Sequence, residues 1–83
     1  MMKNFIEMVE EKIEEGELLT IGIKCGEFDL LDSIVPDSIS VDRKIRIKGE
    51  WLDLNIPVNC EISYVDFDEE YIIVYEEMTF YFS

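Results

Sequence analysis

Two groups of carboxylates are the residues of this sequence whose spacing could do chemistry. Glu7, Glu10, Glu11, Glu14 and Glu15 recur at three- and four-residue steps, and Asp66, Asp68, Glu69 and Glu70 crowd into one short stretch. Carboxylates can act as a general acid and base, hold a hard cation, or face a basic surface. Acid–base work of the glycosidase kind needs a carboxyl whose pKa is raised in a cleft, and nothing in the pattern points to one. A calcium or magnesium site needs converging oxygen ligands. Residues 66–70 lack the glycine and the spaced ligands of an EF-hand loop, so a solvated turn is the better reading. The third use asks only for exposure and repeat: carboxylates along a helix face and at a hairpin tip can imitate a row of backbone phosphates.

The rest of the catalytic inventory is thin. There is no His, so the commonest general base and metal ligand is missing, and Ser-His-Asp or Cys-His arrangements are ruled out. Cys25 and Cys60 form no CxxC pair and no zinc spacing. They read as two buried free thiols behaving as small hydrophobes, with a single bridge as the alternative in an oxidising compartment. The four glycines are isolated, which leaves no phosphate-cradling loop. The expectation is a protein that is not an enzyme and carries neither cofactor nor metal.

Charge points the same way. Twenty acids stand against seven bases, a formal net charge of −13 in 83 residues. From Gly49 to the end there are nine acids and no base. Such a field opposes direct binding to nucleic acid or to an anionic membrane, where phosphate contacts dominate affinity. The bases gather instead at Arg43, Lys44, Arg46 and Lys48. Lys44, Arg46 and Lys48 share a strand face by period two and are expected to pair with acids of their own sheet.

These groups need elements to hold them. Residues 4–15 have the helical spacing, with Phe5, Ile6, Val9 and Ile13 on one side and the glutamates on the other. Asn4 with Glu7 has the capping-box pattern, and Gly16 is a stop signal. Glu14 and Glu15 in the last turn are unfavourable, because a helix C-terminus prefers cations. Beyond Gly16 the period changes to two. Residues 18–25, 43–48, 60–67, 71–75 and 78–82 read as strands, and 38–41 as a short one. Residues 28–35 are apolar without clear alternation. Gly49 marks a tight hairpin or a bulge, since apolar parity shifts after it. Asp66 to Glu70 contains a hairpin tip. Tyr71 and Tyr75 read as core packing, whereas Tyr81, of opposite parity to Phe80 and Phe82, is the most exposed aromatic of the last strand.

The expected fold is therefore α+β in one domain over residues 1–83: an N-terminal amphipathic helix at about 4–15, then a small, strongly bent antiparallel sheet or barrel of about five to seven short strands over about 18–82. This order of elements resembles the layout of Sm-like small barrels, a resemblance that implies a barrel fold and rests on no sequence motif. The first residues have neither the apolar run of a signal peptide nor the basic character of a transit peptide, so the expected compartment is the cytoplasm. The functional expectation is a non-enzymatic acidic protein that inhibits or regulates a basic, nucleic-acid-binding partner protein, as phage-encoded defence inhibitors and immunity proteins do. The partner-binding residues would be Glu7, Glu10, Glu11, Glu14, Glu15, Asp66, Asp68, Glu69, Glu70 and Tyr81. The alternative is a small β-barrel interaction or assembly module whose barrel edge pairs with itself into a homo-oligomer, with the acids serving only solubility.

Overall fold

A computed structural model describes residues 1–83. The helix α1 spans Met2–Glu15, two residues longer at its start than the spacing predicts. Asn4 lies inside its first turn, Met1 is the N-cap, and no side chain caps the end. The expected Asn4–Glu7 capping box is thus not formed. Gly16 does stop the helix: at φ 62° it takes the left-handed conformation that glycine adopts without strain. Its N–H and that of Glu17 then reach back to the carbonyls of Ile13 and Lys12.

Eight antiparallel strands follow: β1 Leu19–Cys25, β2 Phe28–Ile34, β3 Pro36–Val41, β4 Lys44–Gly49, β5 Asp53–Pro57, β6 Glu61–Val65, β7 Glu70–Tyr75 and β8 Met78–Phe82. They form two sheets, a five-stranded one in the order β2-β1-β8-β7-β6 and a three-stranded one in the order β3-β4-β5. Of the expected sheet or barrel of about five to seven strands, this corrects the strand count and the barrel alternative, and with the latter the layout likeness to Sm-like barrels. The sheets are open, because β2 and β6 end the larger one without pairing to each other. The chain changes sheet at Val35, between β2 and β3. The register slips there, between Pro36 and Ser38, so the bulge sits at the sheet change. Gly49 stands at both features: it is registered opposite Pro36, where the bulge begins, and its N–H bonds the Leu52 carbonyl at 2.8 Å in the β4–β5 hairpin.

One face of the larger sheet carries the core. Leu19, Ile21, Ile23, Ile34, Ile73, Phe80 and Phe82 meet Phe5 and Val9 of the helix and Ile45, Ile47 and Ile56 of the smaller sheet, all of them buried. Phe5 is the hinge of this packing. Its ring stands edge-on to Phe82 at 4.9 Å and to Tyr71 at 5.7 Å, distances at which aromatic pairs attract beyond their burial. Ile6 and Ile13, on the flank of the apolar stripe, are half-buried. No helix is long and apolar enough to cross a membrane.

Candidate functional site

The helix α1 lies beside β3, its Phe5 ring reaches Tyr71 and Phe82 of the larger sheet, and its glutamates are exposed on the polar side. Tyr71 pairs with Tyr64 across β6 and β7, and their rings lie 4.7 Å apart. The β6–β7 turn, residues 66–69, projects beyond them. Its backbone closes by the Glu69 N–H to the Asp66 carbonyl, with Glu69 at φ 51°. The result is a groove of about 690 Å³ between helix and turn. Glu7 and Glu11 stand on the helix wall, Asp68 and Glu69 on the turn wall, with Tyr64 and Tyr71 between. Lys12 is the only base lining it, and its Nζ lies 3.8 Å from Glu17.

Two segments separated by more than fifty residues thus place four carboxylates around one concavity. Partial burial, with the charges of Glu69 and Asp66 behind it, raises the Tyr64 hydroxyl above its ordinary pKa of 10.0. That hydroxyl therefore stays protonated near neutrality and can donate a hydrogen bond. The helix wall continues outward, where Glu7, Glu10, Glu11 and Glu14 line a shallow neighbouring depression. Glu15 faces Glu17 at the helix end. A hydrogen bond to Glu17, then the charges of Glu17, Glu11 and Glu14, raise its carboxyl above 4.5.

Four of the expected residues are elsewhere: Glu15 and Asp66 line neither depression, and Glu70 and Tyr81 are on the other side of the sheet. Glu70 and Tyr81 have the opposite parity to Tyr71, Phe80 and Phe82, so they lie on the outer face of the larger sheet, away from the helix. There they line a second, smaller groove with Gly22, Lys24 and Leu31. Tyr81 is half-buried, with Lys24 Nζ 5.7 Å from its ring centroid. Alternation assigns Tyr81 to the non-core face correctly, but it does not reveal that the acidic groove forms on the other one.

Sequence reasoning misses Phe67. It stands at the tip of the β6–β7 turn between Asp66 and Asp68 and is 96% exposed, an unusual place for a phenyl ring. An aromatic flanked by turn-forming acids was the available signal. Tyr64 was missed too, because its strand reads as plain alternation. No three Asp, Glu or Cys side chains converge as metal ligands, and Glu70 points away from Asp68 and Glu69. The basic stripe behaves as expected at one position: Arg46 grips Asp53 through two bonds, Nε at 2.9 Å and Nη2 at 2.7 Å. Cys25 and Cys60 are free and half-buried; burial pushes the Cys60 thiol up, which lowers its reactivity.

The class of molecule is defined by this arrangement: a small α+β protein with a tyrosine-floored acidic groove. Comparison with protein families, curated proteins and solved structures gives no match.

Proposed function

We propose that this protein is a non-enzymatic binder of a basic partner protein, and that its groove between α1 and the β6–β7 turn receives the partner's Arg or Lys side chains. The observation that carries the reading is the convergence of Glu7, Glu11, Asp68 and Glu69 on one concavity with a single base among the lining residues. Guanidinium groups suit such a site, because they take carboxylates in a fixed fork and stack on aromatic faces. Tyr64 and Tyr71 supply the faces, and Phe67 offers an apolar anchor at the rim of the kind that concentrates binding energy. The continuing helix wall of Glu10 and Glu14 widens the negative surface, and the net charge of −13 steers a cationic partner inward. A surface evolved to hold phosphates has the complementary chemistry. The partner is therefore a nucleic-acid-binding protein, held in the cytoplasm, whose basic surface this protein occupies and inhibits.

The test compares the protein with a groove variant carrying Glu7→Gln, Glu11→Gln, Asp68→Asn and Glu69→Gln, which keeps shape and removes charge. Partners are captured at low salt, purified, and titrated against both forms. Binding that weakens at least tenfold in the variant, and that the partner's own nucleic acid competes away, supports the reading. Equal affinity of the two forms for every captured protein overturns it.

A further inference from the structure

The strand β2, Phe28–Ile34, ends the larger sheet, and every residue in it except Ile34 is exposed. It carries three large apolar side chains in the open: Phe28 at 59%, Leu30 at 37% and Leu31 at 75% exposure. The hydrogen-bond phase of the sheet shows which main-chain groups it leaves free. Thr20 and Ser83 exchange both bonds, at 2.9 and 3.1 Å, so even-numbered residues of β1 bond to β8. Odd-numbered residues of β1 therefore bond to β2, at the registered partners Ile34, Asp32, Leu30 and Phe28. The N–H and C=O groups of Asp29, Leu31 and Ser33 point away from the sheet. The Ser33 N–H agrees, since it is taken up by the Asp32 carboxylate at 2.7 Å.

We infer that this edge pairs with the same edge of a second copy, antiparallel about a two-fold axis at Leu31. In that register Leu31 meets its own copy, and Asp29 meets Ser33 of the second copy. All three outward residues find outward partners, which gives about six main-chain hydrogen bonds, two of them made by Ser33 N–H groups that exchange their Asp32 carboxylate for the Asp29 carbonyl of the second copy. Phe28 meets Ile34 and Leu30 meets Asp32, so no acid stands opposite an acid. Shifting the axis to Asp32 puts the two Asp32 side chains face to face, a repulsive pair. Shifting it to Leu30 leaves Ser33 without an outward partner inside the strand. The two-fold at Leu31 is thus the longest ladder free of facing charges. On the outer face it joins two rows in which Leu31 and Tyr81 flank Gly22, which covers the most exposed leucine of the molecule with its like.

Two copies of charge −13 repel, and that repulsion sets the signature of the contact. Salt shortens the range of repulsion between exposed charges and leaves main-chain bonds and apolar contacts in place. The pairing strengthens with salt, whereas capture of a basic partner weakens with it. Joined this way, ten strands carry the two acidic grooves at opposite ends, roughly 40 Å apart at about 4.8 Å per strand. That spacing of two binding grooves is a consequence that rests on the proposed function; the pairing itself does not.

Sedimentation equilibrium of the full chain, at low salt and at about 0.5 M salt, tests the pairing. The expected result is a 9.8 kDa monomer at low salt and a dimer that grows in with salt and concentration, with amide exchange slowing at Asp29, Leu31 and Ser33. Leu31→Pro removes an outward N–H that the monomer does not use, a place where an edge strand tolerates proline. It should abolish the dimer and keep the monomer's circular dichroism. Leu31→Lys places two cations face to face and should also abolish it, although it lowers the overall repulsion; this second variant decides the matter if the proline variant fails to fold. A monomer at about 1 mM protein in high salt, or a dimer that survives Leu31→Lys, overturns the inference.

Discussion

Gly22 and Gly49 both lie in strands, yet a methyl group would meet different neighbours at the two. At Gly49 an added Cβ would sit 2.7 Å from Ile34 Cδ1; Ile34 is buried, so moving the end of its side chain repacks the core, at about 1–3 kcal/mol. At Gly22 the nearest atoms, of Tyr81 and Leu31, are at 3.4 Å or more, and alanine would relieve a strand interior of glycine's excess entropy, worth roughly 0.5–1 kcal/mol. Urea unfolding should therefore show Gly49→Ala destabilised and Gly22→Ala neutral or slightly stabilised. Phe67 gives a cleaner separation of binding from folding. Exposed as it is, Phe67→Ala should leave the melting temperature unchanged while weakening partner affinity about tenfold or more, read by calorimetric titration. Phe5→Ala should do the reverse damage, at about 3–5 kcal/mol, enough to unfold a domain of this size. At this scale, alternation with Phe80 and Phe82 correctly excludes Tyr81 from the core. Parity cannot tell which face the helix covers, so it could not reveal that Tyr81 and Glu70 stand apart from the groove.

Among the elements, α1 and the strands with one buried face were legible in the sequence. Ile45 and Ile47 alternate with Lys44, Arg46 and Lys48 because one face of β4 packs on the core and the other meets water. The segment 28–35 resisted reading for a physical reason: β2 exposes both faces, so burial imposes no period on it. The barrel expectation failed because strand count and spacing carry no information about closure. The helix start was misplaced because Met1 caps with its backbone alone, and a cap without a side chain leaves no signature. The other end of α1 carries a testable strain. Glu15 holds its proton more tightly in the folded state than its ordinary 4.5. Its contribution to stability is then full below that value and is lost as pH rises through the raised one. Glu15→Gln should raise the melting temperature at neutral pH, where the wild-type carboxylate faces Glu17, and make less difference below 4.5, where Glu15 is itself protonated.

For the molecule as a whole, excess negative charge opposes the folded state as it opposes any compact anion. Protonation of Glu15, whose carboxyl is raised, begins to relieve this as pH falls from neutrality. Asp53 works in the other direction: its hydrogen bond to Arg46 lowers its carboxyl below 3.8, so its stabilisation is present above that value and is lost as pH falls through the depressed one. Thermal unfolding between neutrality and about pH 3 should show a maximum on the acid side of neutrality, and added salt at pH 7 should raise the melting temperature towards it. A monotonic fall from pH 7 downward would contradict this. The overall charge was plain from composition, but its concentration between α1 and the β6–β7 turn depends on a packing of Phe5 on Tyr71 that spacing alone does not give. That concentration is the centre of the functional account, and its most direct test is the salt dependence of affinity for the purified partner, measured with the wild type and with the Glu7→Gln, Glu11→Gln, Asp68→Asn, Glu69→Gln variant. The account predicts steep weakening with salt for the wild type and a shallow, weak response for the variant; matching affinities and matching slopes would contradict it.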